Sequence, residues 1–133
     1  GKGQGESIAK EGALKIKEIT YIFTEGYSSS ALKHGPFALL DKNVPVVIIS
    51  PNNNNYSKNC NAYEEIKSRK SPILFITDEN KCAYDNKVII PKNNTYGNLL
   101  CIIPIQIAAY HLSLNKNLNP DKPRNLAKCV TVE

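Results

Sequence analysis

Glu11, Lys15 and Glu18 recur at intervals of four and three residues within Glu11–Glu18, EGALKIKE. At about 100° per residue they share one helix face, so an ammonium stands between two carboxylates. Such a row has two readings. It can be a proton-relay constellation, in which one carboxylate acts as base and the ammonium tunes both. It can also be a surface ion-pair row of the kind many helices carry. His34 lies in Leu32-Lys33-His34-Gly35-Pro36, where Gly-Pro makes a rigid turn that puts the imidazole on a loop. Imidazole titrates near neutral pH and suits general acid–base work, although a lone loop histidine is more often an ordinary surface residue. His111 falls inside an apolar stretch and reads as a hydrogen-bonded core histidine. Lys128 is one of many lysines; a Schiff-base role would require a partly desolvated amine, which composition does not reveal.

These groups need elements to hold them. Ile8, Leu14, Ile16, Ile19, Ile22 and Phe23 recur mostly at helical spacing, predicting a helix from Ser7 to about Phe23. Glu25–Gly35 reads as a loop with a helical turn through Ser30 and Leu32. Val44–Ser50, Ile73–Thr77 and Lys87–Ile90 are short apolar runs and read as buried strands. Tyr56–Arg69 reads as a polar amphipathic helix. A long apolar helix is expected from about Asn98 to Asn115, bent at Pro104. Continuous apolar strands alternating with helices imply an α/β fold with a parallel sheet covered on both faces. The pattern divides into a body, residues 1–118, and an irregular tail, residues 119–133. The opening Gly1-Lys2-Gly3-Gln4-Gly5 resembles a turn that normally follows a strand, so a first strand is expected to be missing. Glu6 occupies the position where a dinucleotide-binding fingerprint needs its third glycine, which argues against nucleotide binding.

The chain has 133 residues with a net charge of +5 and a hydrophobic share of 41%, enough for one core. The densest basic group is Lys67, Arg69 and Lys70, without interleaved aromatics, a weak footprint for nucleic acid. Cys60, Cys82, Cys101 and Cys129 form no CxxC pair, so free thiols in a reducing, cytoplasmic compartment are expected, with no metal and no cofactor. The apolar stretch Leu99–Leu112 carries Pro104, Gln106 and His111 and falls short of the ~20 residues of a membrane span. It reads as a buried helix. The frequent Asn and Lys residues, including Asn52–Asn55, read as compositional bias.

Three stretches change the picture: Glu11–Gly26 (EGALKIKEITYIFTEG), Leu32–Pro36 (LKHGP) and Pro123–Glu133 (PRNLAKCVTVE). In this order and at these separations they resemble the glutamine–fructose-6-phosphate aminotransferases (glucosamine-6-phosphate synthases). The resemblance implies the second sugar isomerase (SIS) subdomain of that family, a flavodoxin-like parallel sandwich, with Glu133 at the natural C-terminus. It also implies roles. Lys128 would form a Schiff base with fructose-6-phosphate, next to Ala127 in the substrate-binding segment, and His34, contributed across a homodimer contact, would assist ring opening. Glu18 would move a proton between C1 and C2, with Glu11 and Lys15 completing its polar network. Two departures stand out: Ala31 where the family usually has Glu, and Cys129 where it usually has Ser. A glutaminase nucleophile and the Ser/Thr-rich phosphate loop of the first SIS subdomain are missing from the sequence. The expected partners are therefore those two domains of the same enzyme, and the sugar phosphates fructose-6-phosphate and glucosamine-6-phosphate. A non-catalytic sugar-phosphate-binding SIS module is the alternative, and an SIS deglycase or deaminase acting on related amino sugars is a third reading that the PRNLAK segment disfavours.

Overall fold

The computed structural model describes residues 1–126. Strands β1 (Val46–Ile49), β2 (Ile73–Thr77) and β3 (Lys87–Ile89) form a parallel sheet in the order β1-β2-β3. Val46 is paired with Ile73, and Phe75 with Lys87. Successive strand residues face opposite sides of the sheet, and two cores result. Ile48 and Phe75 pack with Tyr63 and Ile66 of helix α2 (Tyr56–Lys67). Ile49 and Ile76 pack with Ile102 and Ile105 of helix α4 (Ile102–Asn115), with Ile8 and Ile16 of helix α1 (Gln4–Thr20) closing the same side. Helices therefore cover both faces of a parallel sheet, the expected α/β architecture. The strand runs begin and end within a residue or two of their predicted limits.

Helix α1 stops three residues before the predicted end. The Thr20 hydroxyl donates back to the Ile16 carbonyl (2.6 Å) and accepts the Ile22 N–H (3.1 Å), offering the backbone an alternative to a further turn. Tyr21 then takes a left-handed conformation, φ 59°. At the other end Gly3 caps the helix with φ 61°. A Cβ on Gly5 would meet the Ile49 carbonyl oxygen at 3.3 Å, so α1 starts close over the C-terminal end of β1. Two 3-10 turns follow the segment after α1, Ala31–His34 and Pro36–Leu39, hinged at Gly35 with φ 135°.

The apolar helix is two helices, α3 (Gly97–Leu100) and α4, separated at Cys101. Pro104 has no N–H for the Leu100 carbonyl, so the ladder opens one turn ahead of it. Pro104 itself then occupies the first turn of α4, where no donor is needed. The expectation of a buried helix holds for one side only. Ile102, Ile105, Ala109 and Ser113 are buried, whereas Leu99, Ile103, Ile107, Tyr110 and Leu114 are exposed. His111 is exposed too, because it lies off the buried stripe; it is not a core histidine. By length and composition Gly97–Asn115, 19 residues at a mean hydropathy of 1.4, is long and apolar enough to cross a membrane. In the fold its buried stripe serves the sheet core.

Candidate active site

The C-terminal half of α1 holds the charged row. Lys15 Nζ lies 2.9 Å from Glu18 Oε2 and 3.5 Å from Glu11 Oε1. The nearer contact is also the better buried: the Glu18 side chain is 23% exposed and that of Glu11 48%. The Glu18 hydrogen bond, with the charges of both carboxylates, raises the Lys15 pKa above its ordinary value. Lys15 therefore stays an ammonium at any working pH, and Glu18 has a fixed cationic partner. Sequence spacing placed these three together, and the structure does the same.

His34 ends the first 3-10 turn, exposed. Among the described residues it makes no hydrogen bond or ion pair with Glu11, Lys15 or Glu18. Gly35, whose φ of 135° suits glycine, turns the chain sharply after it. Ala127, Lys128 and Cys129 lie outside the described residues. Ala31 opens the same 3-10 turn, half-buried, and Lys33 in that turn pairs with Glu65 of α2 at 2.7 Å.

A buried polar network beneath this turn escaped the sequence reading. Asn59, 2% exposed, accepts from Ser29 Oγ (2.5 Å) and donates to the Ile49 carbonyl and Ser50 Oγ (both 3.3 Å). It thereby ties the loop leading to His34 to the C-terminal end of β1. Asp78, at the end of β2, accepts the Asn52 N–H. The available signal was a polar residue closing each apolar strand run, Ser50 after VVII and Asp78 after ILFIT. Asn59 was hidden because it sits among many asparagines.

Two open clefts lie at this end of the sheet. One, about 280 Å³, is lined by Lys2, Ser29, Ser30, Lys33, Lys58 and Glu65, among others. The other, about 270 Å³, is lined by the carboxamides Gln4, Asn53, Asn54, Asn55 and Asn98. Among the described residues no group of three His, Cys, Asp or Glu side chains could hold a metal ion. Cys82 and Cys101 are buried and Cys60 half-buried, all as free thiols.

The SIS domain family model matches residues 1–116. Over its whole length the chain is 55% identical to the "Probable glutamine--fructose-6-phosphate aminotransferase [isomerizing]" of Acanthamoeba polyphaga mimivirus, covering 22% of that protein. It is 46% identical to the glutamine–fructose-6-phosphate aminotransferase of Methanothermobacter thermautotrophicus, covering 24% of it. The chain thus spans about a quarter of the length of these curated relatives. Among solved structures, the C-terminal domain of the glucosamine-fructose-6-phosphate aminotransferase of Francisella tularensis superposes with a TM-score of 0.83 at 34% identity. That match covers 92% of this chain and 36% of the other. A glucosamine-6-phosphate deaminase of Thermotoga maritima shares the fold, with a TM-score of 0.72 at 24% identity over 94% of this chain and 37% of its own.

Proposed function

The chain belongs to the SIS domain family, and we propose that it is the C-terminal part of an isomerising glutamine–fructose-6-phosphate aminotransferase, supplying the proton-transfer half of its sugar site. In this reading the Lys128 amine attacks the ketose carbonyl and water leaves, giving a Schiff base. His34 exchanges the protons that open the ring. After ammonia replaces the lysine, Glu18 takes a proton from C1 and returns it to C2, and glucosamine-6-phosphate results. One carboxylate must serve two adjacent carbons, which requires a base held still and ionised. The half-buried Lys15–Glu18 contact carries the reading, in a chain whose likeness to the aminotransferases runs over its full length.

The remaining parts of the site belong to the proposal as well. The phosphate loop and the ammonia source would come from the SIS and glutaminase portions of a longer protein. His34 would act on a neighbouring protomer, which accords with its exposure and with its lack of bonds to Glu18 among the described residues. Free thiols at Cys82 and Cys101 suit a reducing, cytoplasmic setting.

The test is Glu18→Gln in the full-length protein. Turnover of fructose-6-phosphate and glutamine to glucosamine-6-phosphate should fall by about 10²–10⁴-fold, the usual worth of a positioned base. Borohydride should still trap the hexose phosphate on Lys128, because carbonyl attack precedes the Glu18 step. Undiminished turnover would remove Glu18 from this role, and an adduct on another lysine would remove Lys128. A binding module without catalysis would give no adduct at all.

A further inference from the structure

Tyr21 is the one residue of α1's exit that pays a conformational penalty: its left-handed backbone, φ 59°, is uncommon outside Gly, Asn and Asp. A non-glycine side chain at such a position invites a search for what it does. Its ring lies under the Arg124 guanidinium, 4.1 Å from the ring centroid. Its hydroxyl accepts the Arg124 backbone N–H at 2.8 Å. A stack and a hydrogen bond between the same two residues fix both place and orientation. A second tie runs alongside, since Lys116 Nζ donates to the Thr20 carbonyl at 2.7 Å, one of the carbonyls a helix end leaves unpaired. Pro120 and Pro123 lie between the two ties and restrict the intervening backbone.

We propose that Tyr21 is a positioning residue that fastens the C-terminal segment, through Arg124, to the end of α1 that carries Glu18. Glu18 is three residues before Tyr21, less than one helical turn, or about 5 Å along the axis. Lys128 is four residues after Arg124, a length of chain that spans at most about 14 Å. The tether therefore bounds how far Lys128 can stand from the end of α1 that carries Glu18. It rests on the reading of Lys128 as the Schiff-base lysine.

The experiment uses the full-length protein with Tyr21→Leu, which removes ring and hydroxyl, and Tyr21→Phe, which keeps the stack. Two readouts separate the tether from its consequence. Trypsin cleavage after Arg124 reports the tether alone, and the rate of borohydride trapping of fructose-6-phosphate on the Lys128 peptide reports what it serves. With an unchanged melting temperature, Tyr21→Leu should speed cleavage and slow trapping by about 10- to 100-fold, the scale of a small misplacement at a reacting group. Tyr21→Phe should fall between Tyr21→Leu and wild type on both. Wild-type rates of cleavage and trapping in Tyr21→Leu would overturn the proposal. Faster cleavage in a protein whose wild-type form is trapped on another lysine would instead overturn the assignment of Lys128, leaving the tether in place.

Discussion

Lys15 and Cys101 show how one fold treats two titratable groups differently. Lys15 is placed on a helix face where two carboxylates find it, and its charge is useful. Cys101 is sealed at the break between α3 and α4, 0% exposed, with its thiol directed at the Gly97 carbonyl (3.4 Å). Burial, with the charge of Asp78 added, pushes its pKa up to about 12. A thiol with a raised folded pKa favours the native state most below its unfolded pKa. That contribution is lost as pH rises from about 9, the group's ordinary value, toward 12. Folding stability should accordingly decline through this window by at most about 1.4 kcal/mol per pH unit for this one proton. Cys101→Ala should flatten that part of the profile, measured by urea unfolding at stepped pH. The native protein should also leave Cys101 unalkylated by iodoacetamide at pH 8 while Cys60, half-buried, reacts. Labelling of Cys101 before unfolding would contradict its burial.

Between elements, the contact that places the site is that of α1 against α4. Gly12 makes it possible: a Cβ there would lie 2.9 Å from Ile105 Cδ1 and 3.0 Å from its Cγ2. Gly12→Val must therefore displace the Ile105 side chain or part the helices, at a cost of roughly 1–3 kcal/mol, as overpacked cores do. Ile105→Val, which deletes the nearer atom, should recover part of the loss in a double-mutant cycle. Additive losses on denaturation of the full-length protein would place the strain elsewhere. Sequence periodicity located α1, α2 and all three strands, because runs such as VVII and ILFIT have few alternatives to a covered parallel strand. It also put Glu11, Lys15 and Glu18 on one face, since helical spacing suffices for that. It misjudged the end of α1 because the stop comes from a Thr20 side-chain bond, a local choice that apolar spacing does not record. It assigned His111 to the core because an apolar run conceals which of its sides is covered. Asn59 and Tyr21 were missed for a further reason: each makes a tie to a residue at least 30 positions away, Ser29 and Arg124, that local spacing does not record.

At the scale of the molecule, the exposed stripe of Leu99, Ile103, Ile107, Tyr110 and Leu114 follows one side of α3 and α4, with Phe23 80% exposed besides. Apolar surface of this extent marks an interface or a liability. Relatives about four times longer have further chain available to cover it. Expressed alone, residues 1–133 should self-associate with rising concentration in analytical ultracentrifugation, and Ile103→Lys with Ile107→Lys should restore a monomer. A monomeric wild-type chain at high concentration would mean that the stripe is innocuous. The exposed His34 poses the matching question for the site, because among the described residues it makes no hydrogen bond or ion pair with the α1 row. If a two-fold contact gives each site its histidine from the other protomer, complementation becomes possible. In the full-length protein, His34→Ala and Lys128→Ala homodimers should each be inactive. After subunit exchange at equal amounts, half of the dimers are mixed and each holds one intact site, so activity should return to about a quarter of wild type. Exchange verified by native mass spectrometry with no recovery of glucosamine-6-phosphate formation would place His34 and Lys128 in the same chain's site.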